Sequence, residues 1–379
     1  MSKTCPSHET NKTWPMVRLG DVCEVRAGAN YKDVEDPNGR YPIYGTGGIM
    51  GRASQYRCPA HSVIVGRKGT LDNPFLVHEP FWNIDTCFGV VPSEKIIPEY
   101  LFRFCQGFDF YSLVPASGRP STTSDAVRSI EIPLPPLSVQ REIVARLERE
   151  LATVEKMKKG FEALAETAKA EFKAELKEVF EEISRRGAET RRLGDTFRFI
   201  DYRGMTPNKI ATGVPLITAK NIRFGYMDYR ERFYISEEDY AKRQTRGVAR
   251  CGDILFTTEA PMGYVALADQ KRFSTGQRII TFQWPNATEH NNRYFLYYFM
   301  SDVFQDQVRE NASGATAQGI KSSRLVNLSV LILECQKQSQ VVARLDSAKA
   351  RAEKLEAKAQ EGVAVCETMR KAILKEAFE

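Results

Sequence analysis

The stretch Val144-Ala145-Arg146-Leu147 returns as Val342-Ala343-Arg344-Leu345, at an offset of 198 residues. Residues 173–178 and 371–376 match at the same offset in five of six positions, all but Glu175 and Ile373, so no insertion separates the two ends of the repeat. This ungapped repetition gives the two segments one common length. We therefore expect the segments to pack against each other side by side.

Both segments have the apolar period of an α-helix. Between residues 139 and 183, apolar side chains recur at a mean interval of about 3.6 residues, and no proline interrupts them. Ser138 is a suitable N-cap after the proline-rich stretch 133–136. The pattern predicts long helices over 138–184 and 336–379. Large residues on the first stripe and small ones on the second favour close interdigitation: Phe161, Leu164 and Phe172, against Ala348, Ala352 and Ala359.

A second repeat precedes each predicted helix. Arg18-Leu19-Gly20-Asp21 recurs as Arg192-Leu193-Gly194-Asp195 at an offset of 174, so the second module is longer by 24 residues. Turn residues divide both modules into short apolar segments, which predict an α+β fold with a small, curved sheet in each. The predicted strands are 62–65, 88–91, 253–256 and 278–282, and the predicted short helices are 99–104 and 292–300. The predicted division is an N-terminal tail (1–17), first module (18–137), first helix (138–184), linker (185–191), second module (192–335) and second helix (336–379).

Charge is distributed unevenly over these segments. The chain carries a formal net charge of +6, with 54 basic and 48 acidic residues. The predicted helices are neutral together, whereas residues 18–135 carry −1 and residues 192–333 carry +5. Arginine supplies 23 of the modules' 31 basic residues, but only 6 of 18 in the helices. Arginine suits phosphates and guanine edges, yet it also suits loops, so the composition alone leaves nucleic acid binding open.

Length and composition exclude several classes of protein. A chain of 379 residues with 42% hydrophobic residues can form two or three folded domains. It has no apolar run near the roughly 18 residues of a membrane span and no secretory signal, so we expect a cytoplasmic protein with no membrane partner. The eight cysteines form no Cys-x-x-Cys pair, and the four histidines lack partners at ligand spacing. We therefore predict buried thiols and no metal site, with a zinc site assembled from distant residues as the alternative. The histidines are His8, His61, His78 and His290.

The sequence contains no recognisable catalytic motif. Residues 45–51 are glycine-rich but match neither a P-loop nor a dinucleotide-binding loop, and a tight turn is the better interpretation. Residues 72–75 match an amino-methyltransferase motif only in part, because Asn73 stands where that motif has its first proline. Nucleophile elbows are absent. The sequence predicts a binding protein with no catalytic residues and no cofactor of its own.

The most specific stretch is Ile132-Pro133-Leu134-Pro135-Pro136-Leu137-Ser138-Val139-Gln140-Arg141-Glu142-Ile143-Val144. It resembles the proline-rich entry into a long helix that is typical of the DNA-specificity (S) subunit of type I restriction-modification systems, the HsdS family. Residues 41–49 and 63–69, and residues 214–222 and 251–255, are similar to frequent patterns in the target recognition domains of that family. The resemblance covers residues 17–379, although the lead-in to the second helix lacks the prolines.

This resemblance implies a fold and a function. Two α/β target recognition domains with small curved sheets would be joined by two long antiparallel coiled-coil-like helices, in a pseudo two-fold repeat. Each domain would read one half of a bipartite target in double-stranded DNA, and the helices would fix the spacing. Two methyltransferase (M) subunits would dock on the helices, with restriction (R) subunits for cleavage. S-adenosylmethionine would be bound by the methyltransferase partner, which leaves the specificity subunit without catalysis.

Polar side chains on predicted turns are the candidates for DNA contact, because donors on loops can reach phosphates and base edges. They are Thr46, Arg67, Lys68, Arg119, Ser121 and Thr122 in the first module, and Lys220, Asn221, Arg223, Arg278, Gln318 and Lys321 in the second. Two other functions remain open. One is a nonenzymatic coiled-coil scaffold with two protein-binding modules, and the other is a self-sufficient methyltransferase, which would need a cofactor loop that the sequence does not show.

Overall fold

A computed structural model describes residues 14–115, 120–285, 290–314 and 318–379 of the chain. Within these ranges, no helix is both long and apolar enough to cross a membrane. The chain divides into two compact units. Unit 1 comprises Met1–Glu162 and Gln360–Glu379, and unit 2 comprises Ala163–Ala359. Both boundaries fall inside the two long helices, so each helix contributes one segment to each unit.

The elements of the first repeat begin near the start of the described chain. They are β1 (Met16–Arg18), α1 (Leu19–Val22), β2 (Cys23–Ala27), β3 (Tyr41–Gly45), β4 (Gly48–Ala53), β5 (Ser62–Gly66), β6 (Phe75–Val77), β7 (Trp82–Asn83), β8 (Cys87–Pro92), α2 (Pro98–Gly107), α3 (Ser124–Arg128), β9 (Glu131–Pro133) and the long helix α4 (Leu137–Arg185). A 3-10 turn at Phe110–Leu113 follows α2.

The elements of the second repeat follow in a similar order. They are β10 (Glu189–Arg192), α5 (Leu193–Thr196), β11 (Arg198–Asp201), β12 (Val214–Ile217), β13 (Ile222–Arg223), β14 (Tyr226–Met227), β15 (Tyr234–Ile235), α6 (Glu237–Arg243), β16 (Ile254–Thr257), β17 (Val265–Leu267), β18 (Ser274–Thr275), β19 (Ile279–Gln283), α7 (Asn292–Met300), α8 (Asp302–Glu310), α9 (Ser322–Leu325), β20 (Ser329–Ile332) and the long helix α10 (Cys335–Glu376). Two 3-10 turns, at Ala219–Asn221 and Gln244–Arg246, complete this half.

Unit 1 is built on a four-stranded antiparallel sheet in the order β2-β8-β5-β6. Strand β5 lies inside this sheet with all five residues buried, which explains its continuous apolar sequence. A second sheet, in the order β4-β3-β7, contains the parallel pair β3–β7. Strand β1 pairs with β9 just before α4 begins.

Unit 2 repeats this topology. Its four-stranded sheet has the order β11-β19-β16-β17, and its three-stranded sheet, in the order β15-β12-β18, contains the parallel pair β12–β18. Strand β10 pairs with β20 just before α10 begins. The small sheets of each unit and the two long helices confirm the predicted α+β fold and its internal repeat.

An aromatic residue at the end of a long helix packs into the core of each unit. In unit 1, Phe378, just beyond α10, packs edge-on against Tyr100 and Phe104 of α2, with ring centroids 5.2 and 5.4 Å apart. In unit 2, Phe180 of α4 packs against Tyr294 of α7 at 5.6 Å. Phe180 and Phe378 are equivalent in the repeat. The helix that follows one module therefore supplies the aromatic residue that packs against the other module.

A buried glutamine fixes the start of α4. The side chain of Gln140 is fully buried, and its Oε1 accepts a hydrogen bond from the N–H of Ile97 at 2.9 Å. Its Nε2 donates to the carbonyls of Lys95 (3.1 Å) and Pro135 (2.9 Å). One side chain thus joins the helix, its lead-in and the segment before α2.

The equivalent glutamine fixes the start of α10 in the same way. Gln338 is fully buried, accepts from the N–H of Asn291 at 2.9 Å and donates to the carbonyl of Leu333 at 2.8 Å. Leu333 occupies the position of a proline in the first lead-in. The missing proline therefore leaves this hydrogen bond unchanged.

The two helical segments of unit 1 run antiparallel and approach closely. Lys158 pairs with Glu367, and the hydrogen bond from Lys158 lowers the pKa of that carboxyl. Closer to the middle of each helix, the ring of Phe161 lies on Gly362, where an added Cβ would come within 2.5 Å of ring carbons. A large residue on the first helix thus meets a small one on the second, as the apolar stripes predict.

The two helical segments of unit 2 are also antiparallel. Arg344 near the start of α10 donates to Glu175 near the end of α4, and it lies 3.7 Å from Glu178 and 3.9 Å from Glu182. Three small stripe residues of α10 are buried here: Ala348, Ala352 and Ala359. Leu164 of α4, however, is 37% exposed, so the predicted stripe is only partly covered.

Candidate nucleic-acid interface

Three backbone segments meet at the end of β5 in unit 1. They are residues 66–69, 84–86 and 120–122, which we call the unit 1 junction. The N–H groups of Arg67 and Lys68 donate to the carbonyl of Thr86 at 2.8 and 3.1 Å, and the N–H of Thr122 donates to the carbonyl of Arg67 at 2.9 Å. Backbone hydrogen bonds therefore hold the junction together, whatever side chains it carries.

The same arrangement recurs at the end of β16 in unit 2. Residues 257–259, 276–278 and 318–321 form what we call the unit 2 junction. The N–H of Thr258 donates to the carbonyl of Arg278 at 2.9 Å, and the N–H of Ile320 donates to the carbonyl of Thr258 at 3.0 Å. These bonds are equivalent to the Arg67–Thr86 and Thr122–Arg67 bonds of unit 1.

An ion pair crosses each junction, and the two pairs have opposite polarity. In unit 1, Lys68 follows β5 and its Nζ lies 3.3 Å from a carboxylate oxygen of Asp85. In unit 2, the position equivalent to Lys68 is Glu259, whose carboxylate lies 3.5 Å from Nε of Arg278. All four side chains are about half exposed, and such surface pairs contribute only about 0–1 kcal/mol. Each cation can therefore exchange its carboxylate for a phosphate at little cost.

The structure brings four of the first-module candidates together at the unit 1 junction. Lys68 and Ser121 are exposed, and their backbones form an isolated bridge. The guanidinium of Arg67 lies 5.6 Å from the ring centroid of Phe88. Thr122 is buried, and its Oγ1 has no hydrogen-bond partner among the described residues. Arg67, Lys68 and Ser121 thus present their side chains at the surface, whereas Thr122 does not.

The remaining first-module candidates lie elsewhere. Thr46 lies in the tight turn between β3 and β4, where its carbonyl accepts a hydrogen bond from Asn73 at 3.4 Å. The predicted tight turn over 45–51 is confirmed at residues 46–47, whereas residues 48–51 belong to β4. Two apolar side chains next to it, Ile49 and Met50, are exposed. Arg119 lies outside the described residues.

Three second-module candidates lie at the unit 2 junction. Arg278 is more than half exposed, and Gln318 and Lys321 are also exposed. Lys321 is the N-cap residue of α9. The junction of unit 2 therefore presents two cations and one amide at its surface.

The other three candidates form a separate loop in unit 2, where Asn221 has a structural role. Asn221 is 2% exposed, and its Oδ1 accepts from both the N–H and the hydroxyl of Thr218, each at 2.9 Å. Its Nδ2 donates to the carbonyls of Asp228 (3.0 Å) and Glu231 (2.7 Å). The amide is fully engaged within the protein, so it holds the loop in shape.

Its neighbours are engaged in ion pairs. Lys220 pairs with Glu231 at 2.8 Å, and Arg223 pairs with Asp228 at 3.1 Å. Hydrogen bonds from Arg230, and then from Arg223, hold the pKa of Asp228 well below its usual range. Arg223 must leave the mostly buried carboxylate of Asp228 before it can contact another anion. Lys220 is paired with the more exposed Glu231, so its ion pair is weaker and easier to exchange.

Sequence reasoning missed the two carboxylates of the junctions, Asp85 and Glu259. The signal that could have found them is a reversal of charge at one position of the repeat, where the first module has the basic Lys68 and the second has the acidic Glu259. This equivalence becomes visible only when β5 of unit 1 is aligned with β16 of unit 2, because the modules share few identical residues.

Most of the described cysteines are buried and unreactive in character. Five described cysteines are buried, and burial raises the pKa of three of them, Cys23, Cys58 and Cys87, to about 12. Cys251 and Cys335 are exposed, so the prediction of buried thiols is wrong for these two. Cys251 lies in a turn and Cys335 is the first residue of α10, positions that residue type does not reveal.

Sequence comparison assigns the chain to a family. The family described as type I restriction modification DNA specificity domain matches residues 11–164 and 186–363, one match for each repeat. The chain therefore belongs to this family, which confirms the resemblance. It is 22% identical to the type I restriction enzyme MjaVIII specificity subunit of Methanocaldococcus jannaschii, over 88% of this chain and 85% of that one. It is 24% identical to the putative specificity subunit S.HindORF215P of Haemophilus influenzae, over 82% and 80%.

Solved structures support the same fold. A chain from a study of complex assembly and conformational transition in a type I R-M system matches with a TM-score of 0.71 and 22% identity, over 98% of this chain and 99% of that one. The HsdS subunit from Thermoanaerobacter tengcongensis matches with a TM-score of 0.55 and 22% identity, over 98% of both chains.

Proposed function

We propose that this chain reads DNA sequence for a type I restriction-modification assembly, with each junction contacting one half of a bipartite target. As a member of the specificity family, the chain serves DNA sequence specificity. The observation that supports two separate readers is the repeated junction. One backbone arrangement carries Arg67, Lys68 and Ser121 in unit 1, and Arg278, Gln318 and Lys321 in unit 2. Different donors on one frame suit the recognition of different bases.

The long helices are proposed to set the distance between the half-sites and to dock the methyltransferase partners. Their equivalent starting residues, Leu137 and Cys335, and the ungapped repetition that follows support this role, because equivalent positions of the two helices stay in register. Two methyltransferase subunits fit a chain with two equivalent repeats. Restriction subunits would join the same assembly for cleavage.

We propose that the chemistry belongs to the partners. Methyl transfer from S-adenosylmethionine requires extrusion of the target base into a catalytic pocket. In the methyltransferase subunit, that pocket would supply both the cofactor and the catalytic groups, while this chain supplies orientation on the DNA. The assembly would act in the cytoplasm, where the host DNA lies.

The test of DNA reading is binding to duplex DNA by the chain reconstituted with its methyltransferase subunit. We expect affinity to fall steeply with salt, because phosphate contacts release counterions. An assembly that does not bind duplex DNA at any salt concentration would support the protein-binding scaffold instead.

The test of the spacing role is a paired insertion of seven residues into α4 and α10. Seven residues preserve the apolar stripe and add about 10 Å of helix. We expect the preferred spacer in a library of methylated targets to lengthen by about three base pairs. A matched variant with seven helix residues substituted, at unchanged length, is expected to keep the original spacer. An unchanged spacer in the insertion variant would contradict the role.

A further inference from the structure

Two histidines face each other across the β5–β6 pair of unit 1. The register pairs Ser62 with Val77, so the next pair outward is His61 and His78. Their rings are 5.4 Å apart between centroids and nearly perpendicular. Both side chains are exposed. Strand register therefore brings together two imidazoles that are 17 residues apart in sequence.

A glutamate from a third element completes the group. Glu99 lies in the first turn of α2, which packs on β5 and β6. One ring nitrogen of each histidine and one carboxylate oxygen of Glu99 lie within 4.8 Å of one another. Glu99 forms no ion pair with another residue in the described ranges. Its carboxylate is therefore not held in an ion pair within the described part of the chain.

This set of donors suits a zinc ion. Two imidazole nitrogens and one carboxylate oxygen are common Zn²⁺ ligands, with bonds of about 2.0–2.2 Å. Tetrahedral coordination with such bonds brings ligand atoms to about 3.4 Å from each other. Since the ligand atoms lie within 4.8 Å of one another, they must approach by about 1.4 Å at most, which rotation about the side-chain χ angles can supply.

The surroundings leave room for a fourth ligand. His78 and Glu99, together with Arg103 and Glu148, line an open pocket with a volume of about 440 Å³. Arg103 donates a hydrogen bond to Gln106 at 2.8 Å. The negative charge of Glu148 interacts favourably with the Arg103 guanidinium. Its positive charge is thus partly balanced, and water or a small anion can reach the fourth position.

The cluster does not recur at the equivalent positions of unit 2. In unit 2, the pairing of Ile254 with Leu267 places Gly252 and Asp269 at the positions of the two histidines. Arg293 occupies the position of Glu99, and its side chain pairs with Asp346 at 2.6 Å. An arginine at this position opposes a cation. The cluster is therefore specific to unit 1 and is not a requirement of the fold.

We propose that His61, His78 and Glu99 form a Zn²⁺ site that links the end of the β5–β6 pair to the start of α2. The site holds one ion through three protein ligands and one exchangeable ligand. It is separate from the unit 1 junction, which contains none of its residues, and it does not depend on the proposed reading of DNA. It corresponds to the alternative that the sequence left open, a zinc site assembled from distant residues, because its three ligands come from three different elements.

The test is Zn²⁺ binding by the full chain, purified without a histidine tag and measured by competition with a chromogenic chelator. The background carries Cys251→Ser and Cys335→Ser, because exposed thiols would bind zinc themselves, and Cys5→Ser, which removes a further thiol that lies outside the described residues. We expect one equivalent of Zn²⁺ to bind. His61→Ala and His78→Ala are each expected to weaken binding by at least about a hundredfold, since loss of even an outer-shell partner typically costs 10- to 100-fold.

Two further measurements keep the result decisive. Glu79→Gln removes an exposed carboxylate next to His78 that lies outside the cluster, and it is expected to leave the affinity unchanged. Co²⁺ in place of Zn²⁺ is expected to give the visible absorption of a tetrahedral site, which Glu99→Gln reduces while circular dichroism stays unchanged. Absence of Zn²⁺ binding, or binding that neither histidine variant weakens, would overturn the proposal.

Discussion

The two junctions share a backbone and differ in chemistry. In both, three distant segments meet at the end of a buried strand and are joined by equivalent hydrogen bonds of 2.8–3.0 Å. Lys68 and Asp85 cross the first junction, whereas Glu259 and Arg278 cross the second with the charges exchanged. Because main-chain bonds hold the segments, side chains there can vary without loss of the fold. Main-chain atoms therefore hold each junction together, and the side chains are left to determine what it binds.

The largest effect is expected from a substitution that destabilises one unit and leaves the other unchanged. Arg243 is 2% exposed in unit 2, where it donates to Ser274 and to the carbonyls of Met205 and Thr275 beside the parallel pair β12–β18. Replacement by methionine leaves these buried acceptors without a donor. We expect Arg243→Met to destabilise the three-stranded sheet of unit 2 by at least about 3 kcal/mol.

Hydrogen exchange measured peptide by peptide checks this prediction. Amides of β12, β18 and α6 are expected to lose protection, while those of β5 and β8 in unit 1 keep it. The control is Lys242→Met, which removes a neighbouring exposed cation paired with Glu238 and is expected to change stability by less than about 0.5 kcal/mol. Equal loss of protection in both units would contradict the independence of their cores.

Matched substitutions of the helix-start glutamines sharpen the comparison. Gln140→Ala and Gln338→Ala each leave a half-buried backbone N–H without its acceptor, at Ile97 and Asn291. Each is expected to cost about 1–3 kcal/mol, measured as loss of exchange protection confined to the unit concerned. Gln340→Ala, at an exposed position two residues further along α10, serves as the control. A large effect in one unit and none in the other would show that the two frames are not equivalent.

The smallest expected effect tests the close approach of the helices in unit 1. Gly160 of α4 has open space around its Cα, so Gly160→Ala is expected to stabilise the helix by about 1 kcal/mol. Gly362→Ala gains the same propensity, but its Cβ would lie 2.5 Å from ring carbons of Phe161. We expect this second substitution to lower the melting temperature. If both glycine variants raised it, the helices would not be as close as described.

Much of the fold could be predicted from the sequence, because the signals are local. A period of about 3.6 residues identifies a helix wherever it lies, and the offset of 198 identifies its copy. The sequence could not show which module each helix end packs against. Phe180 and Phe378 occupy the same position of the repeat, and only the tertiary structure shows that each packs against the module of the other copy.

Less of the candidate site could be predicted, because residue type does not reveal the partner of a side chain. Asn221 is a good DNA donor by type, yet all of its hydrogen-bonding groups are used inside unit 2. Thr122 lies at the junction but is buried. The cluster of His61, His78 and Glu99 depends on strand register, which the separation between the two histidines in sequence does not determine. The Zn²⁺ titration described above addresses that part of unit 1 directly.

The central claim is that each junction reads its own half of the target. The measurement is methylation of a library with both half-sites randomised, by the assembly carrying Arg67→Ala or Arg278→Ala. Each variant is expected to relax preference in one half only, and in different halves, by about 1–3 kcal/mol at the affected position. Relaxation of both halves by either variant, or of neither half by both, would contradict the account.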